Sequence, residues 1–129
     1  MTALDPEKVI QLLAATRGGS DLDTACHFAT LPVTLVYRWL ERGKIESMRV
    51  EMGTEPNPTE TEFVEFWNEL KKARADAITR NVSVIQKAAQ SGTWKAAAWW
   101  LERTMPDVYG KQATSPAIDS SAAKEITQD

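Results

Sequence analysis

Apolar residues recur at steps of three and four almost from the start of the chain, the period of a helix. Val9, Ile10, Leu12 and Leu13 give a first helix its apolar side. Asp5-Pro6 suits its start, with Asp as cap and Pro at the first helical position, and Gly18-Gly19 stops it. Ser20 or Asp21 can cap a short second helix holding Leu22, Ala25, Cys26 and Ala29. Thr30-Leu31-Pro32 makes a turn, and a third helix follows from about Val33 to Arg42, with Gly43 placed to end it. The stretch "MRVEMGTEPNP", residues 48–58, has two prolines, a glycine and no helical period, and reads as a linker. Thr59 and Glu62 then stand at capping-box spacing before Phe63, Phe66, Trp67, Leu70, Ala73, Ala77, Val84, Ile85 and Ala88. That series predicts one helix to about Ser91, roughly 50 Å long at 1.5 Å per residue. Ser91-Gly92-Thr93 breaks it, a last helix runs from Trp94 to Met105, and Pro106 stops that one. No strand-like alternation occurs, so the expected class is all-α.

The tetrapeptide Trp-Leu-Glu-Arg occurs twice, at 39–42 and at 100–103. The flanks differ, so it is no internal repeat, which would extend over a whole supersecondary unit. Two different modules are expected. The first, residues 1–47, has helix-turn-helix spacing. Small Ala25, Cys26 and Ala29 let the second helix approach the third, and Leu31 plugs the turn. Val36, Trp39 and Leu40 face inward, with Leu35 flanking them, which leaves Thr34, Tyr37, Arg38, Glu41 and Arg42 on the outer face. In such motifs that face enters the DNA major groove. Thr34, Tyr37, Arg38, Arg42 and, just beyond, Lys44 are therefore the candidate DNA contacts, Arg38 with the reach for a guanine edge. The turn usually carries Gly where this chain has Thr30, which a non-Gly residue can replace if its backbone need not go left-handed. A plain three-helix bundle with a solvated outer face shares the pattern. Residues 1–52 hold six Lys/Arg against seven Asp/Glu. Weak DNA binding per copy is expected, compensated by linking several copies.

The second module, residues 59–110, reads as a long helix paired with a short one. Folded back, the short helix reaches only Val84, Ile85 and Ala88, leaving Phe63, Phe66, Trp67 and Leu70 for other subunits, since a loose linker favours that over cover by the first module. Burying such side chains stabilises by roughly 1.5–3 kcal/mol each. On the last helix Trp94 heads one apolar stripe while Trp99 and Trp100 lie on either flank, so neighbours are expected to enclose it. The other reading has Trp99 and Trp100 packing under Pro106–Tyr109. Asp76 and Arg80 suit an i,i+4 pair, and Lys71, Lys72 and Arg74 a solvated face. Residues 111–129 are small and polar, and a disordered tail is expected.

Composition trims the functional choices. The chain has 129 residues and a net charge of −3, which argues against a strong non-specific nucleic-acid binder. Apolar runs are short and charge-broken, so no membrane span is expected. The start "MTALDPEK" lacks the basic-then-apolar form of a signal peptide. Cys26 and His27 are the only residues of their types. They cannot build a zinc site or a nucleophile–base pair between them, and the Gly92–Lys95 stretch lacks the glycine and hydroxyl of a phosphate-binding loop. A non-enzyme without metal or cofactor is expected.

The layout as a whole, with the run "AAAWWLERTMPDVYGK" closing it, resembles the small terminase subunits of tailed bacteriophages over about residues 5–111. That resemblance implies an N-terminal helix-turn-helix domain on a helical-hairpin oligomerisation hub. It also implies a homo-oligomeric ring that recognises double-stranded viral DNA in the host cytoplasm and hands it to the large terminase subunit, which holds the ATPase and nuclease. The tail is implied as a contact for that partner or for DNA. The alternatives are a dimeric helix-turn-helix transcription regulator of phage or bacterial origin, and a scaffold that has lost DNA binding.

Overall fold

A computed structural model describes residues 4–110, and over that range the protein is all-helical. Six α-helices follow one another: α1 Pro6–Arg17, α2 Leu22–Phe28, α3 Val33–Glu51, α4 Thr61–Gln90, α5 Trp94–Thr104 and α6 Pro106–Tyr109, with one 3-10 turn, Pro58–Glu60, before α4. The tail expected from residue 111 onward lies outside the described residues. Two compact units divide the chain, Met1–Asn81 and Val82–Asp129, so the division falls within α4 and not at the expected linker.

In the first unit the helix starts are local. Asp5 accepts the Glu7 N–H at 3.1 Å and Asp21 the Thr24 N–H at 3.0 Å, each satisfying a backbone donor that the first helical turn leaves open. At α4 the expected Thr59 cap is corrected. Asn57 is the capping side chain, accepting from the Thr59 N–H at 3.1 Å and its hydroxyl at 2.9 Å, and Thr59 sits inside the 3-10 turn.

Leu12 and Leu13 of α1, Leu22, Ala25 and Cys26 of α2, Ala29 and Leu31 of the turn, and Val36, Trp39 and Leu40 of α3 share one core with Phe63, Phe66, Leu70 and Ala73 of α4. Phe63, Phe66 and Leu70 are each 1% exposed, and Trp67 is half-buried against the same core. The expectation that these four side chains await other subunits is therefore corrected: their own chain shelters them. Trp39 meets Phe66 edge-on, with ring centroids 6.0 Å apart. Its Nε1 is buried without a hydrogen-bond partner among the described residues.

The reason is that the connection is not loose. α3 does not stop at Gly43 but continues to Glu51, so the first four residues of the expected linker, 48–51, are helix. Gly43 faces α4 instead, where an added Cβ would lie 2.7 Å from Trp67 Cβ and 2.8 Å from the Phe63 carbonyl carbon. Only a residue without a side chain allows that approach. Glu46, 3% exposed, pairs with Arg49 and accepts the Asn57 N–H at 2.6 Å, which pins the connecting segment onto α3. Farther along α4, Asp76 pairs with Arg17 at 3.6 Å and Arg80 donates to the Arg17 carbonyl at 2.6 Å, at the C-terminus of α1. The expected Asp76–Arg80 pair is corrected accordingly: both side chains reach α1.

The second unit is built differently. α4 ends with Gly92 at φ 108°, its N–H donating to Ala89 O and the Thr93 N–H to Ala88 O, a closure that suits glycine. Neither α5 nor α6 contains a buried residue.

Candidate nucleic-acid interface

The outer face of α3 stands on the turn before it. Ala25, Cys26 and Ala29 are fully buried, and their small size lets α2 and α3 pack closely. Burial pushes the Cys26 thiol above its ordinary value, with Asp23 adding to the shift; it is a packing group and not a reactive one. The α2 end closes through the Thr30 N–H to His27 O at 3.2 Å and the Leu31 N–H to Cys26 O at 2.9 Å. That closure forces Thr30 to φ 57°. The backbone does go left-handed here, so the condition under which a non-Gly residue fits easily is not met, and it does so at a β-branched residue that disfavours it. Leu31 then drops into the core, 8% exposed.

Every position from Val33 on follows from that exit. Val36, Trp39, Leu40, Gly43 and Glu46 point inward. Thr34, Tyr37, Arg38, Glu41 and Lys44 are exposed and continue into Ile45 and Met48. The structure thus gathers four of the five expected DNA contacts, Thr34, Tyr37, Arg38 and Lys44, on one accessible face. The fifth, Arg42, is corrected. Its Nε donates to Glu60 Oε1 at 2.9 Å, its Nη2 pairs with Glu60 Oε2, and the guanidinium lies 4.0 Å over the Phe63 ring. Arg42 holds the start of α4, off the outer face. The hydrogen bond and charge of Arg42 keep the Glu60 carboxyl below its ordinary value.

The chain matches no protein-family model, no curated protein and no solved structure. The chemistry of the site therefore rests on its own residues. The face carries two cations and one carboxylate and no enclosed cavity. A groove of about 420 Å³ in the first unit lies elsewhere, between the end of α3, Pro56–Asn57 and α4. It is open and lined by Glu46, Val50, Val64, Asn68 and Lys71 among others. Among the described residues no three His, Cys, Asp or Glu are grouped to hold a metal ion, and no helix is long and apolar enough to cross a membrane.

The remaining expected interface residues lie in the second unit. Trp94 is 70% exposed and Trp99 45%, with Arg103 stacked 5.0 Å over the Trp99 ring; Trp100 is half-buried. Val84, Val108 and Tyr109 are also exposed.

Sequence reasoning missed Gly43, Glu46 and the Arg42–Glu60–Phe63 cluster. A signal was present for the first two. Val36, Trp39/Leu40, Gly43 and Glu46 keep the helical step of three or four past the glycine, so Gly43 falls on the buried stripe, where a small residue means close approach.

Proposed function

We propose that this chain is a DNA-recognition protein acting as a homo-oligomer, in the manner of the small terminase subunits it resembles. Its helix-turn-helix, α2 through α3, would recognise double-stranded viral DNA in the cytoplasm of an infected bacterium. A hairpin of α4 and α5 would join copies, and the assembly would present the genome to a large terminase subunit. One observation carries the reading: Thr34, Tyr37, Arg38 and Lys44 stand exposed on one face of α3, which a four-helix core holds rigidly. Uncovered tryptophans in a unit with no buried residue on α5 or α6 support the oligomer, because exposed large apolar groups in such number mark association surfaces.

The test is duplex binding by fluorescence anisotropy at low and rising salt, with light scattering on the same protein. Arg38→Ala weakens binding by about 1–3 kcal/mol, and Lys44→Ala lowers the magnitude of the salt slope by about 1. Retention of DNA unchanged by both substitutions would remove α3 from the account. A stable dimer bound to a palindromic duplex would identify a transcription regulator instead.

A further inference from the structure

We propose that Glu41 is a specificity residue of the α3 face: it reads a cytosine edge in the major groove beside a guanine read by Arg38. The proposal rests on α3 being the DNA-recognition helix. Glu41 is exposed in the middle of the face, between Tyr37 and Arg38 on one turn and Lys44 on the next. Among the described residues its carboxylate makes no ion pair or hydrogen bond. Glu46, Glu60 and Asp76 of this unit are tied to arginines, and Glu41 is not.

An unpaired carboxylate there is repelled by phosphate. The major groove offers it only two donors, the amino groups of cytosine and adenine. On adenine the neighbouring N7 is an acceptor and repels the second carboxylate oxygen, whereas cytosine presents its N4 amino group with no acceptor beside it in the groove. Guanine and thymine present acceptors and are rejected. Arg38 has the complementary chemistry, donating to guanine O6 and N7. The two residues are three apart, so they stand about 4.5 Å apart along the helix axis, close to the rise of one base pair, about 3.4 Å. The face therefore addresses neighbouring base pairs, with Glu41 acting mainly by excluding the wrong bases.

The experiment is selection from a duplex library with a randomised central segment, using the full chain and its Glu41→Ala, Glu41→Gln and Arg38→Ala forms. Far-UV circular dichroism checks that each melts as the parent does. The parent is expected to enrich cytosine at one position by about 5- to 150-fold over guanine or thymine. Glu41→Ala flattens that position alone. Glu41→Gln moves the preference there to adenine, whose N6 and N7 suit an amide. Arg38→Ala flattens the adjacent guanine. Enrichment of the same sequences by the parent and both Glu41 forms overturns the proposal while leaving DNA recognition by α3 intact. Failure of the parent to retain any duplex at low salt overturns both.

Discussion

At Gly43 and at Thr30 backbone geometry, not side-chain chemistry, decides what this protein tolerates. At Gly43 a methyl group would stand 2.7 Å from Trp67 Cβ, nearer than packed carbons sit. Gly43→Ala should push α3 and α4 apart and destabilise by about 1–3 kcal/mol, read as a lower urea midpoint. Thr30 is the opposite case. Its φ of 57° is imposed by the closure of α2, and a β-branched residue there is strained. Thr30→Gly should therefore stabilise by roughly 0.5–1 kcal/mol, the strain relieved being partly offset by the freer unfolded chain. A midpoint unchanged or lowered in urea would show that the turn carries no strain. The position of the turn between α2 and α3 was legible from spacing. The dihedral angle was not, because it depends on where Leu31 must enter the core.

At the scale of elements, α3 and α4 behave as one clasp. Arg42 and Glu60 fasten the start of α4, and Glu46 fastens Asn57 ahead of it. Glu60 is the more informative of these for pH. Its hydrogen bond to Arg42 lowers its folded value below the ordinary 4.5. A carboxyl so depressed contributes stability that is present above 4.5 and is lost as pH falls through the lower folded value. Asp21, lowered by its hydrogen bonds to the Thr24 hydroxyl and N–H, acts with the same sign, its contribution present above 3.8 and lost as pH falls below that. Glu60→Gln should thus flatten part of the acid limb of the stability curve and leave the Asp21 part, as thermal melts across pH 3 to 6 would reveal. Arg42→Ala should lower the melting temperature at neutral pH. Were Arg42 instead a DNA contact, its removal would weaken duplex binding with no change in melting. Helix α3 itself was legible to Arg42 and not beyond, since a glycine at a helical step reads equally as an end or as a crossing point.

For the molecule as a whole the contrast is between two units of unequal burial. Met1–Asn81 holds a core in which Trp39, Phe63, Phe66 and Leu70 are each 1% exposed, though Phe28, Tyr37, Ile45, Met48 and Met52 stay exposed around it. In the second unit, Trp94, Trp99, Val108 and Tyr109 are exposed on α5 and α6. Self-association is proposed to cover them. Trp99→Ala and Trp100→Ala should then lower the mass seen by light scattering more than they lower helix content by circular dichroism. An equal loss of both would place these rings in a core. The Phe63→Ala substitution provides the contrast: it should cost about 3–5 kcal/mol of folding stability and act on the melt of the first unit before it acts on mass.

Periodicity along the chain was sufficient for the all-helical class, for the starts of the first three helices and for the inward and outward faces of α3 around Thr34, Tyr37 and Arg38, because steps of three and four and local caps are properties of neighbouring residues. The partners of those faces were decided only in three dimensions. An apolar stripe states that Phe63, Phe66 and Leu70 must be covered, and nothing in it says by what. The cover came from α1 to α3 of the same chain because a glycine at the crossing, the Arg42–Glu60 pair and the Asn57 N–H donating to Glu46 hold the connection tight, contacts between residues far enough apart in sequence that no local pattern records them.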